Sequence, residues 1–260
     1  MEAVYSSDLL FILDWDNTLI PSKWLETKGF RVLPHGTSGL TPDMIAMCES
    51  IAPYVAALIN GAKRYGKVII LTNATESWVQ LGCTLFMPSI SELILSLPII
   101  SAADLYSETY KSPMMWKRLA FQREVIDMGV RAIISIGDGE AERNAALAIG
   151  GMSRILVKSL KFMDDPVPDA LVKQLDGTIK AMHMLATHKS PLDIMWLASE
   201  FDTKEDPFED FPDKGFAERP LEVTPADPNL PLKKSKSSSS LKPARSPTPK
   251  PRYDHAAFDE

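Results

Sequence analysis

The chain is poor in cysteine: among 260 residues only Cys48 and Cys83 occur, and they form no CxxC pair. That excludes a disulfide framework and a thiolate metal site, and two buried, reduced thiols are expected. Long apolar runs are also missing. The longest, LILSLPII from Leu93, is too short to cross a bilayer and contains a proline, so no membrane insertion is expected. The first residues, MEAVYSSD, lack the positive segment of a secretory signal. A net charge of −6 gives no strong nucleic-acid or membrane-surface signal. The four histidines, His35, His183, His188 and His255, show no metal-ligand spacing. No GxGxxG or GxxxxGK[ST] follows an apolar run, which leaves nucleotide-cofactor readings without support. There is no internal repeat. These absences describe a protein of the cytoplasm, with the nucleus left open.

What is present divides the chain in two. Residues 1–199 alternate short apolar runs with helical patterns, whereas 200–260 hold half of the twenty prolines. The second part is acidic first (EFDTKEDPFEDFPDKGFAERPLE), then basic and serine-rich (KKSKSSSSLKPARSPTPKPR). Such a composition cannot bury enough apolar surface to offset its ordering entropy, so 200–260 read as a disordered tail, with Phe201, Phe208 and Phe211 as anchors near its start. Within the first part, β-type runs are expected at 9–13, 67–72, 97–101, 131–136 and 153–159. Helices are expected at 42–65, opened by Thr41-Pro42, and at 76–86, 89–96, 114–128, 140–149 and 167–187. Continuously apolar strands alternating with helices imply a parallel sheet covered on both faces: an α/β, three-layer, Rossmann-like domain.

In such sheets functional groups gather at the carboxyl ends of the strands. Asp14-Trp15-Asp16-Asn17-Thr18 follow the first run, Thr72-Asn73 the second, and Gly137-Asp138-Gly139-Glu140-Ala141-Glu142 the fourth. Three polar clusters rich in carboxylates describe a cation and phosphate site. Asp14 and Asp16, at i and i+2 of an extended segment, can address one ligand, one ionised as nucleophile and the other protonated as acid. Mg²⁺ takes oxygen ligands and suits Asp14 and Asp138.

These residues resemble the haloacid dehalogenase-like (HAD) hydrolase superfamily over roughly residues 8–160. Its DxDxT motif is matched by Asp14, Asp16 and Thr18, and its second-strand Ser/Thr by Thr72 in ILTNA. Its GD with a further acid four residues on is matched by Asp138 and Glu142. For the motif lysine, Lys111 and Lys117 compete; Trp116-Lys117-Arg118-Leu119-Ala120-Phe121 is similar to the WKxxAF segment of some capless members, which favours Lys117. The resemblance implies that Asp14 attacks phosphorus and forms an aspartyl-phosphate. Asp16 protonates the leaving group and ligates Mg²⁺ through its main-chain carbonyl. Thr72 and the lysine hold phosphoryl oxygens; Thr18, Asn73 and Lys111 are substrate contacts; Asp138 and Glu142 complete the metal site, Glu142 through water. Glu142 departs from the commoner aspartate.

An aspartate at position 16 favours phosphoester hydrolysis over dehalogenation. Only residues 19–71 separate the first two motifs, and the helix at 42–65 takes much of that stretch, so the site is expected to be open or minimally capped. Ser22 to Leu40 can form a small flap with Trp24 and Phe30. The expected substrate is a phosphorylated compound, macromolecules included. The alternative is a weakly active or inactive phosphate-binding regulator of the same fold whose tail recruits partners. In the tail, Pro228 to Lys233 fit a PxxPxK ligand of SH3-like domains, and Ser246-Pro247 and Thr248-Pro249 fit proline-directed phosphorylation.

Overall fold

The structure, a computed structural model, describes residues 8–196. The expected tail, with its phenylalanines and its two short motifs, lies outside them. Six strands form one parallel sheet: β1 (Leu9–Leu13), β4 (Lys67–Thr72), β5 (Ile99–Ser101), β6 (Ala132–Gly137), β7 (Leu156–Lys161) and β8 (Leu192–Met195). Their spatial order is β5-β4-β1-β6-β7-β8. The chain thus winds outward from β1 to one edge, then returns to β6 and winds to the other. The order reverses between β1 and β6, where the carboxyl ends of adjacent strands diverge and leave a crevice.

The strands are apolar on both faces because both are covered. On β1, Leu9, Phe11 and Leu13 enter one core while Leu10 and Ile12 enter the other. The first core includes residues of α2 (Pro42–Lys63), α3 (Glu76–Phe86) and α8 (Pro168–Thr187). The second includes residues of α5 (Ala102–Tyr106), α6 (Pro113–Ala120) and α7 (Glu140–Met152). Helix α2 starts where expected, with Pro42 at its first turn and the Thr41 hydroxyl accepting the Met44 N–H at 3.3 Å. It has the length and apolar composition of a membrane span, yet Met44, Cys48, Ile51, Val55, Leu58 and Ile59 are buried in the core and it packs on α8. Cys48 and Cys83 are both buried and free, and burial pushes the Cys48 thiol up to about 12.

The expected helix at 114–128 begins as α6 and widens into a π-type turn over Phe121–Val125. The last expected strand, 153–159, lies two to three residues further on as β7, because Ser153 still closes α7: its N–H and hydroxyl both donate to the Ile149 carbonyl, at 2.9 and 2.8 Å, and its Oγ accepts the Ile155 N–H at 3.3 Å. Elements not expected are α1 (Ser22–Thr27), the antiparallel hairpin β2 (Arg31–Leu33) and β3 (Gly36–Ser38), α5 and the edge strand β8, whereas the helix expected at 89–96 is α4 (Ser91–Leu95), preceded by a 3₁₀ turn over Pro88–Ile90. Helix α1 and the hairpin together occupy the segment expected to be a flap. Phe30 at its root is buried, edge-on to Phe86 with centroids 5.0 Å apart.

Candidate active site

The three polar clusters converge on the crevice. Asp14 extends β1 by one residue, its N–H donated to Ile136 of β6 at 2.9 Å, so its position is fixed by the ladder itself. Its side chain is buried, and Oδ1 accepts the Trp15 N–H and an N–H of Lys117, each at 2.8 Å. Lys117 comes from α6 and is only 1% exposed. Its Nζ also donates to the Leu71 carbonyl at 2.9 Å and lies 4.0 Å from Glu142. One ammonium thereby joins the ends of β1 and β4 to the start of α7. Burial pulls its pKa down, but Asp14, Glu142 and Asp138 outweigh it and the group stays charged. Lys111 is exposed and lies on the loop ahead of α6.

Glu142 sits in the first turn of α7, folds back and accepts the Gly139 N–H, the capping-box arrangement at a helix N-terminus. This requires glycine at 137: a Cβ there would fall 2.5 Å from Glu142 Oε1 and 2.6 Å from its Cγ. Asp138 is held by its backbone, since buried Lys161 donates to its carbonyl at 2.7 Å and to Asp164 at 2.7 Å. Burial, reinforced by Asp14 and Glu142, pushes the Asp138 carboxyl up to about 8, against a hydrogen bond from Asn17. Glu142 is raised as well, first by burial and then by Asp14.

One carboxylate oxygen from each of Asp14, Asp138 and Glu142 lies within 4.8 Å of the others. Three acids around one lysine leave a net negative, poorly solvated cluster, and that is the electrostatic reason two carboxyls there resist ionising. A divalent cation would supply the missing charge. The donors are all oxygen, and opposite ligands of an octahedral Mg²⁺ stand about 4.2 Å apart, so the group fits a hard cation of that size. Glu142 could reach it directly or, as expected, through water.

The carboxylate of Asp16 is not in that group. The backbone turns sharply after it: Asn17 takes a positive φ of 55°, donates its N–H to Ile20, and its Oδ1 accepts from Lys23 N–H and the Ser22 hydroxyl. Asp16 Oδ1 accepts the indole N–H of Trp78 at 2.8 Å. Its carboxyl is pushed up by burial, opposed by that hydrogen bond and then raised further by Asp14. Asp16 lines a cleft of about 280 Å³ with Trp78, Phe30, Val32, Lys23 and Arg31. Trp15, between the two aspartates, is fully buried in the first core.

Thr72 is buried at the end of β4, and its hydroxyl oxygen accepts the Ala74 N–H at 3.0 Å. Asn73 donates to the Pro113 carbonyl at 3.1 Å, tying the β4 end to α6. Two buried oxygens of the expected substrate contacts, Thr18 Oγ1 and Asn73 Oδ1, have no hydrogen-bond partner among the described residues. Trp78, Asn17 and Lys161 were missed from sequence. Lys161, a lysine at the carboxyl end of the strand LVKSLK, carried a signal; Trp78 offered none, because its role depends on how α3 is oriented. No protein-family model, no curated protein and no solved structure matches the chain.

Proposed function

We propose that this protein is a phosphomonoester hydrolase working through an aspartyl-phosphate on Asp14 at an open site, as the resemblance to HAD-like hydrolases implies. The observation that carries the reading is Lys117, a buried cation 2.8 Å from Asp14 at the divergence of β1 and β6. It sits where a transferring phosphoryl group would need both a nucleophile and positive charge.

The chemistry follows from the side chains. A carboxylate oxygen of Asp14 forms a bond to phosphorus as the ester P–O bond breaks, and Asp16 gives its proton to the departing oxygen. Asp16 then takes a proton from water as the water oxygen attacks phosphorus, which releases inorganic phosphate and restores the Asp14 carboxylate. Lys117 uses two of its three N–H donors on Asp14 and Leu71, which leaves the third for a phosphoryl oxygen. The Thr72 and Thr18 hydroxyls and Asn73 supply neutral contacts. Asp14, Asp138, Glu142 and the main-chain carbonyl of Asp16 would hold Mg²⁺, which when bound neutralises phosphoryl charge.

The test is hydrolysis of an aryl phosphate by the purified chain with and without Mg²⁺, alongside Asp14→Asn. Mg²⁺-dependent turnover lost in the variant supports the reading. Binding of Mg²⁺ and a phosphate mimic without turnover would hand the site to the alternative, a phosphate-binding regulator.

A further inference from the structure

On the reading just proposed, the contact between Asp16 and Trp78 says more about which phosphate esters the site is built for. Trp78 stands at the third position of α3. The Thr75 hydroxyl caps that helix by accepting the Trp78 N–H at 3.2 Å, and the Glu76 N–H is taken by Asp104 at 2.8 Å, so the first turn is fixed at both ends. The ring is held from the side by Phe30, at a centroid distance of 6.0 Å. From that position Nε1–H points at Asp16 Oδ1, 2.8 Å away across a separation of 62 residues.

An indole N–H can only donate. Oδ1 must therefore be the accepting oxygen, and a proton on this carboxyl must reside on Oδ2. Trp78 thus assigns the two oxygens of Asp16 their roles and stops the carboxyl from rotating, while both residues line the same 280 Å³ cleft. Ser22, a further polar neighbour of Asp16, shares its hydroxyl with Asn17 at 3.2 Å and is the weaker anchor.

We infer that Trp78 is a positioning residue for Asp16, and that the cleft beside it takes the alcohol of an aliphatic phosphate ester as leaving group. A fixed acid matters in proportion to the basicity of the departing oxygen. An alkoxide needs the proton as the P–O bond breaks, whereas a nitrophenolate departs without it. A site built only for activated phosphates would gain nothing from holding Asp16 in one orientation.

The experiment compares Trp78→Phe, which keeps a ring against Phe30 but lacks the N–H, with the unaltered chain. One substrate is an aliphatic phosphate such as glycerol phosphate; the other is 2,4-dinitrophenyl phosphate. The expected result is a loss of about 10–100-fold in kcat/KM on the aliphatic ester and less than threefold on the activated one. Equal losses on both, or no loss on either, would overturn the inference. Should Trp78→Phe fail to fold, the indole N–H resonances of the otherwise unaltered chain decide. Asp16→Ala should move one of the five indole signals strongly upfield, and an unchanged set would refute the contact. If the unaltered chain hydrolyses neither ester with Mg²⁺, the proposed activity fails, a result distinct from failure of the Trp78 assignment.

Discussion

Two lysines, Lys117 and Lys158, are each 1% exposed, and the protein treats them in opposite ways. Lys117 stands at the carboxyl ends of the strands, 2.8 Å from Asp14 and 4.0 Å from Glu142, and these acids hold it charged. Lys158 lies on β7 below α8, where its Nζ donates to the Leu185 and Ala186 carbonyls at 2.6 and 3.5 Å. Among the described residues only the carbonyl end of a helix compensates its burial, and its pKa is pushed down to about 8. Dipoles alone suffice to bury an amine that can give up its proton. Keeping a cation charged requires acids, and three acids around one lysine is more negative charge than stability calls for. On the function proposed above, that excess is what a bound cation would neutralise.

The sharpest way to break this contrast is at the acid that Lys117 contacts. Asp14→Asn should abolish Mg²⁺-dependent hydrolysis of an aryl phosphate, because an amide cannot attack phosphorus, while circular dichroism shows the fold intact. Retention of the normal rate would remove Asp14 from the chemistry. Asp16→Asn should lower turnover of aliphatic esters by about 10²–10⁴-fold, since only proton transfer is lost.

Next comes the lysine itself. Lys117→Ala should cost about 10²–10³ in turnover, the worth of one positioned donor at developing charge. It should also destabilise the fold by roughly 3–5 kcal/mol, because it leaves buried acids without their partner. Lys111→Ala, in an exposed loop, should cost less than tenfold and leave the melting temperature unchanged. A reversed order in one assay would give the phosphate-holding role to Lys111 and leave Lys117 as a structural tie.

A smaller effect tests whether the excess negative charge is a metal site. Mg²⁺ at about 100 times its dissociation constant should stabilise the chain by about 2.7 kcal/mol, seen as a rise in thermal midpoint. Asp138→Asn should remove most of that rise. An equal response in both proteins would mean that Mg²⁺ binds elsewhere.

How much of this contrast could be read from sequence follows from how local each feature is. The apolar runs of β1, β4 and β6 announce buried strands because all three are flanked on both sides in the sheet, and each ends directly in polar residues. Asp14, Thr72 and Asp138 were legible for that reason. Lys117 was favoured over Lys111 from its segment, and in the structure it is the one that touches Asp14. The partner of Asp16 was not legible, since Trp78 reaches it only after β4 and α3 have packed beside β1. Strand β8 escaped notice because an edge strand, Leu192–Met195, is half exposed and carries Asp193, which pairs with Arg143 at 2.5 Å. The hairpin of β2 and β3 has exposed Val32 and Leu33, so no buried face imposed an alternating pattern on its sequence.

The smallest expected effect lies at the other lysine and checks the opposite half of the comparison. Lys158 has a folded pKa of about 8 against 10.5 when free. Between those values the unfolded chain binds the extra proton and the folded one does not, so the contribution of this residue to stability rises with pH. Below about pH 8 the folded state carries the full cost of burying the ammonium; that cost is relieved as pH climbs through 8 towards 10.5. Lys158→Met removes the titration together with the hydrogen bonds to Leu185 and Ala186, two effects of opposite sign that should nearly cancel at pH 7. Urea unfolding of both proteins at pH 7, 9 and 10 should show the unaltered chain gaining stability relative to the variant as pH rises, with the proposed hydrolysis of an aryl phosphate at pH 7 the same in both. A difference that stays flat with pH would mean that the carbonyls of α8 hold Lys158 charged as firmly as the acids hold Lys117, and the two ends of the sheet would then differ in geometry but not in electrostatics.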